Sequence, residues 1–220
     1  MKKQPPQAET WAAAFGKEYT DRNPHSIEQM DALYQTNFGV TRIELNARFL
    51  GALDRSATIL EVGSNVGTQL KALQTMGFGE LYGIELQSYA VELSKILTQG
   101  INLIQGSAFE LPFRDRFFDL VFTSGVLIHI SPEDLPRVLD EMHRCSREFI
   151  WGFEYFATQH TEIPYRGMER LMWKGDFARL FLDRFPDLER VREERIPYLN
   201  AQGNEDVMYL LRKQTVSRHA

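Results

Sequence analysis

The sequence predicts an α/β fold: a doubly wound, seven-stranded, mostly parallel sheet with an antiparallel edge strand and an N-terminal helical cap. Three observations predict it. Short apolar runs alternate with helical stretches across residues 58–154, the texture of repeated strand–helix–strand crossovers. Two later strand-like runs are joined by a short turn-rich segment, which suits an antiparallel return. The stretch from Trp11 to Leu53 has helical spacing and no strand signal.

In chain order, the first dozen residues are polar, contain Pro5 and Pro6, and read as loose chain. Trp11, Phe15 and Tyr19 recur every four residues and would form one helical stripe. Ser26 with Gln29, and Thr41 with Glu44, have the spacing of capping boxes. Thr58–Val62 reads as a buried strand, followed by a helix over 66–76 that Gly77 stops. Leu81–Ile84 is a second strand, and a helix from Ser88 ends at a glycine cap, Gly100. Ile101–Ile104 and Leu120–Thr123 are strands three and four. Ser131-Pro132-Glu133-Asp134 marks a helix start, with Ser as cap, Pro at the first helical position and acids in the first turn. Phe149–Phe153 is the fifth strand, and a helix over Phe177–Phe185 stops before Pro186. Leu188–Ile196 and Asp206–Arg212 close the sheet across the turn at 200–204. The organisation is therefore a cap over 1–53 and an α/β domain over 54–220, with a loop insertion at about 154–175.

The 220 residues fit one ordinary domain, and 43% hydrophobic with 25% charged residues is a globular composition. Asp plus Glu number 30 against 25 Lys plus Arg, a net charge of −5 that argues against a nucleic-acid partner, which needs a basic footprint. Cys145 is the single cysteine, so no intrachain disulfide forms and the cytoplasm is the expected compartment. No apolar run follows the basic N-terminus, so neither a signal peptide nor a membrane span is expected. No metal site is expected, because no histidine, carboxylate or cysteine spacing matches a ligand set.

In such sheets ligands sit at the carboxyl ends of the strands, here just after residues 63, 85, 106 and 123. Glu61-Val62-Gly63-Ser64-Asn65-Val66-Gly67 forms a glycine-bearing loop between the first strand and helix. It lacks the third glycine of a dinucleotide loop and the Lys-Ser/Thr of a P-loop. Glu85, 22 residues after Gly63, ends the second strand, where a carboxylate can accept both hydroxyls of a ribose. A third segment, Gln105-Gly106-Ser107-Ala108-Phe109-Glu110-Leu111-Pro112-Phe113, follows the third strand.

Four ordered segments, ILEVGSNVG, LYGIELQ, QGSAFELPF and FFDLVFTSGVLIHI, resemble those of class I S-adenosylmethionine-dependent methyltransferases with their Rossmann-like fold. The resemblance implies S-adenosyl-L-methionine as cofactor and S-adenosyl-L-homocysteine as product. It places Gly63, Ser64, Asn65 and Gly67 along the methionine and ribose, and Glu85 on the ribose hydroxyls. Leu86 would flank the adenine, Ala108 would offer it a backbone N–H, and Ser124 and Gly125 would sit beside the methionine. Glu61 and Phe109 are counted with these cofactor-binding residues. Ser107 departs from the pattern, since many members have an Asp there on the adenine amine. The segments WAAAFGKEYTDRN, GVLIHI and GFEYFATQHTEIPYRG are similar to small methylases associated with pseudaminic acid biosynthesis, a hint towards nonulosonic acid or surface-glycan modification.

His129, in an apolar setting, is the candidate catalytic base, with a packing histidine as the alternative. Tyr155, His160, Tyr165 and Arg166 would bind substrate if the segment after the fifth strand is a lid; a plain connecting loop is the other reading. The resemblance to these methyltransferases also implies that Tyr19 meets the cofactor carboxylate from the cap. The sequence favours a small-molecule acceptor, with a macromolecular acceptor or a non-catalytic cofactor-binding partner as alternatives. Oligomerisation is left open, with Phe153, Tyr155, Phe156 and Trp173 as aromatics expected to be exposed.

Overall fold

The computed structural model describes residues 5–214. Four helices precede the first strand: α1 (Pro6–Ala12), α2 (Ala14–Arg22), α3 (Ile27–Phe38) and α4 (Arg42–Leu50). The remaining elements are β1 (Ile59–Val62), α5 (Thr68–Thr75), β2 (Leu81–Glu85), α6 (Ser88–Leu97), β3 (Asn102–Gln105), β4 (Phe118–Ser124), α7 (Leu135–Cys145), β5 (Ser146–Tyr155), β6 (Thr161–Glu162), β7 (Trp173–Lys174), α8 (Phe177–Arg184), β8 (Leu188–Pro197) and β9 (Glu205–Lys213). A single 3-10 turn, Leu127–His129, follows β4.

The main sheet has seven strands in the order β3-β2-β1-β4-β5-β9-β8. The first five pair in parallel, while β9 runs antiparallel to both β5 and β8. The expected architecture is therefore present, with the reversed strand one place in from the edge. Strand alternation sends neighbouring residues to opposite layers. Leu60, Val62, Val121 and Ile150 join the core cluster of α7 and α8, with Val138, Leu139, Met142, Phe177 and Phe181. Ile59, Leu120, Phe122 and Trp151 join the opposite cluster with Leu45 and Phe49 of α4 and Leu70 and Leu73 of α5. α7 shows why it docks: Leu135, Val138, Leu139, Met142 and Cys145 are its buried residues, at the spacing of one helical face.

Several local expectations change. Residues 6–12 are helical where loose chain was expected; residues 1–4 lie outside the described part. The aromatic stripe is split by a break at Ala13, whose ψ of −159° ends α1. Trp11 still meets Phe15 and Tyr19 edge-on, at 5.1 and 5.0 Å between ring centroids. Ser131 caps a turn, and the regular helix starts at Leu135 with Pro136 in its first turn. α6 stops at Leu97, before Gly100. Thr41 and Glu44 form the full capping box, whereas Gln29 turns its side chain to the His25 N–H. Phe153, Phe156 and Trp173 are buried, which removes them as exposed surface for self-association. Among the described residues no helix is long and apolar enough to cross a membrane.

Candidate functional site

The carboxyl ends of β1, β2, β3, β4 and β5 open into one cavity of about 530 Å³. Its first wall is the turn after β1. Gly63, Asn65 and Gly67 have φ of 76°, 47° and 81°, a left-handed sequence that folds the chain tightly into α5. A Cβ on Gly63 would lie 2.6 Å from Val126, so glycine is required there on two counts. The turn is pinned to β2 by Gly63 N–H and Ser64 N–H, which both donate to the Ile84 carbonyl, at 2.8 and 3.1 Å.

Glu85 holds the next wall. Its Oε2 accepts the Asn65 N–H and its Oε1 the Gln87 N–H, each at 2.8 Å. One carboxylate thus fixes the loops after β1 and β2 in a common frame. Burial raises its pKa, against the lowering effect of those backbone donors. Gln87, which the sequence did not single out, anchors the cap: its Nε2 donates to the carbonyls of Trp11, Ala12 and Ala13 at 3.3, 3.1 and 2.9 Å. Trp11 and Ala12 end α1, where helix carbonyls lack an intrahelical donor, while the Ala13 carbonyl also accepts the Lys17 N–H of α2. Gln7 ties the same cap to the turn before α7 through a bond to Asp134 at 3.1 Å.

His129 sits under this cap. Its Nδ1 lies 2.7 Å from the Leu171 carbonyl, so that nitrogen carries the proton and donates. The ring packs 4.4 Å from Trp11 and 5.4 Å from Tyr165, between centroids. Burial pushes its pKa down to about 4. A histidine so depressed is neutral at pH 7 and a weak proton acceptor. Burial pushes the Tyr19 phenol up to about 12, keeping it protonated.

Away from the cap the lining becomes aromatic: Tyr34, Phe153, Tyr155 and Tyr198. Arg42 lies fully buried behind it, donating to Tyr34 Oη at 2.6 Å, Ser124 Oγ at 3.1 Å and Asn46 Oδ1 at 2.8 Å. Two carboxylates reach this region. Glu154 accepts the Val126 and Ile128 N–H groups, and Asp206 accepts the Tyr198 hydroxyl. Burial raises both to about 7.

Of the residues the sequence pointed to, Tyr19, Glu61, Gly63, Ser64, Asn65, Glu85, Leu86, Ser107, Ala108, Phe109, Ser124, Gly125, His129, Tyr155 and Tyr165 line this one cavity. Gly67 does not; it is the N-cap residue of α5 and its open side faces Leu103 and Thr98. His160 and Arg166 also lie off the wall, both exposed, the first edge-on to Phe177 and the second beyond the Tyr165 ring. The small β6–β7 ladder turns that part of the insertion outward while Tyr165 points back to His129. Missed by sequence reasoning were Gln87, Tyr34, Tyr198 and Asp206, each brought to the cavity by pairing or packing with residues distant in the chain. Among the described residues no group of histidine, cysteine or carboxylates could hold a metal ion.

Residues 60–148 match the family model of a methyltransferase domain. Similar solved structures include the 1,6-didemethyltoxoflavin-N1-methyltransferase of Burkholderia thailandensis, with 1,6-didemethyltoxoflavin and S-adenosylhomocysteine bound. It is 15% identical, with a TM-score of 0.67 over 98% of this chain and 94% of that one. A Leishmania major S-adenosylmethionine-dependent methyltransferase is 16% identical, with a TM-score of 0.68 over 94% and 87%. A chain from a complex that contains the Haloferax volcanii Trm112 methyltransferase activator is 15% identical, with a TM-score of 0.64 over 97% and 100%. Among curated proteins none matches this sequence.

Proposed function

With residues 60–148 a methyltransferase domain and S-adenosylmethionine its cofactor, we propose that the enzyme methylates a small molecule, a sugar or nonulosonic acid intermediate of glycan biosynthesis. One observation carries this reading. The cavity continues from the glycine turn past Ser124 into the aromatic region of Tyr34, Phe153, Tyr155 and Tyr198, and its 530 Å³ is a small-molecule dimension. The likeness of residues 11–23, 125–130 and 152–167 to pseudaminic-acid-associated methylases supports the sugar class.

The residues at the first end fit the cofactor. Glu85 spends one contact of each oxygen on a backbone N–H, which leaves lone pairs for the two ribose hydroxyls. Glu61 Oε2, Ser64 Oγ and Asn65 Oδ1 are buried there without a protein partner. Gly63 and Gly125, both at positive φ, keep side-chain bulk away from where Ser64, Asn65 and Ser124 would hold the methionine portion. Leu86, Ser107, Ala108 and Phe109 would enclose the adenine. When bound, S-adenosylmethionine supplies a methyl group on a sulfonium. What this chain adds is alignment and exclusion of water. The helices before β1, held by Gln87, and the insertion at 154–175, held by the bond of His129 to Leu171, would cover the cavity from two sides. Tyr19 closes against the cofactor side as a neutral phenol. His129 acts here as an anchor for the insertion.

The test combines calorimetry with S-adenosylhomocysteine and transfer of a radiolabelled methyl group into a cell extract that is then ultrafiltered. Micromolar binding and label in the low-molecular-mass filtrate are expected. Label confined to the retained macromolecules would overturn the small-molecule acceptor.

A further inference from the structure

The cavity ends on a polar pair that the cofactor does not need. Asp206, 5% exposed, is the second residue of β9 and stands in register with Tyr155 at the end of β5. The strand order puts β9 four places from β2, so Asp206 and Glu85 lie on strands roughly 19 Å apart at the usual strand spacing. Tyr198, carried in by the β8–β9 connection, donates its hydroxyl to Asp206 Oδ2 at 3.1 Å. Only that oxygen is taken by the phenol, and both residues line the cavity.

We propose that Asp206 and Tyr198 form the acceptor-recognition subsite, holding neighbouring hydroxyls of the acceptor. The inference rests on the small-molecule reading above and names the group that selects within it. The carboxylate accepts from hydroxyls, as Glu85 would at the cofactor end, and the phenol oxygen offers a further acceptor. Ring faces carry negative charge and suit the weakly positive C–H groups of a saturated ring; Tyr155 and Tyr198 lie 5.8 Å apart and Tyr34 and Phe153 5.5 Å apart, between centroids.

A carboxylate among aromatic rings also suits an ammonium, and the resident charges decide against that. Lys174 Nζ already sits 3.8 Å from the centroid of the Tyr155 ring, and the Arg42 guanidinium 4.6 Å from that of Phe153. The charges of both act on Asp206. A cationic acceptor would enter between two fixed cations, whereas hydroxyls meet no such repulsion. Lys174 is itself held by Asn204 Oδ1, from the connection that also carries Tyr198.

The experiment uses S-adenosylmethionine labelled with 13C in its methyl group, the full-length protein, and a low-molecular-mass cell filtrate as the acceptor pool. Carbon NMR of the products distinguishes methyl on oxygen from methyl on nitrogen. Methyl on the oxygen of a hydroxyl-bearing product is expected. Asp206→Asn, an isosteric change, and Tyr198→Phe should each lower transfer at limiting filtrate by about tenfold, the scale of one charge-assisted hydrogen bond. Concentrating the filtrate should restore most of the rate, a KM effect, while affinity for S-adenosylhomocysteine stays within about twofold. Methyl on an amine nitrogen overturns the proposal, as does wild-type transfer by Asp206→Asn at limiting filtrate, or loss of cofactor affinity in step with transfer. Label found only in retained macromolecules removes the small-molecule reading itself, a result recognisable without either variant.

Discussion

Two carboxylates mark the two ends of one cavity, and they are held in opposite ways. Glu85 ends a parallel strand and has both oxygens bound to backbone N–H groups of the loops it joins. Asp206 lies near the start of an antiparallel strand and accepts the hydroxyl of a phenol, with two cations in its surroundings. The first is built into the backbone frame, so its geometry survives only with the carboxylate itself. The second is built from side chains, so it can vary without moving the frame. A fixed cofactor end and an adjustable acceptor end are what one fold needs to serve many acceptors.

The largest effect should come from breaking the fixed end. Glu85→Gln keeps size but sets an amide NH2 against one of the two backbone N–H donors, at Asn65 or Gln87. One of these loops must move, and on the proposed reading the ribose contact goes with it. Affinity for S-adenosylhomocysteine, measured by calorimetry, should fall about 100-fold, near 2.7 kcal/mol at 1.36 kcal/mol per tenfold. Asp206→Asn serves as the control at the other end, with cofactor affinity unchanged. Equal losses in the two variants would erase the distinction between the ends.

The same contrast explains what was legible in the sequence. Gly63 and Glu85 lie next to their own strands, so a strand pattern and a spacing of 22 residues were enough to find them. The four-segment order carried the fold in the same way. Asp206 gave no such signal, because its place depends on β9 pairing with β5, a partnership between residues 155 and 206. Gln87 is only two residues from Glu85, yet its function depends on a helix break at Ala13, which the even spacing of Trp11, Phe15 and Tyr19 conceals. His160 and Arg166 were read from chemical density alone, and the β6–β7 ladder turned them out of the cavity. Ser131 makes the expected capping bonds, its Oγ accepting the Asp134 N–H and its carbonyl the Leu135 N–H, but residues 132–134 form a turn and the regular helix starts only at Leu135.

His129 sharpens the comparison from the middle of the cavity. It has the frame-building character of the first end, since its Nδ1 anchors Leu171 and its ring packs on Trp11. His129→Phe keeps the ring and removes the anchor. Turnover should stay within about fivefold of wild type, with KM raised as the insertion loosens. Removal of a general base would instead cost ~10²–10⁴-fold in kcat. A loss of that size, with an acid limb of the pH–rate profile near pH 4 abolished, would return His129 to the chemistry.

The smallest effect is a pH dependence of stability, and its sign separates the two kinds of residue. Asp206 is raised to about 7 from an unfolded value near 3.9, so between those values the folded chain holds the proton more often. Its contribution is present below that window and is lost as pH rises through it. His129 is lowered to about 4 from about 6.5, so the unfolded chain binds the proton more often and stability rises with pH across that range. In the wild type the two slopes oppose each other between about pH 4 and 6.5. Asp206→Asn removes the first, and the variant should gain on wild type as pH is raised from 5 to 8, by on the order of 1 kcal/mol in paired thermal melts. The groups facing Asp206 set the outcome: Tyr34 from α3, Arg42 from α4, Lys174 from β7, Tyr198 from the β8–β9 connection, and Tyr155 from β5. If the variant instead loses ground at pH 8, Arg42 and Lys174 outweigh burial and hold the carboxylate ionised. The acceptor end would then be an ion cluster with a fixed geometry of its own, and the contrast with Glu85 would collapse.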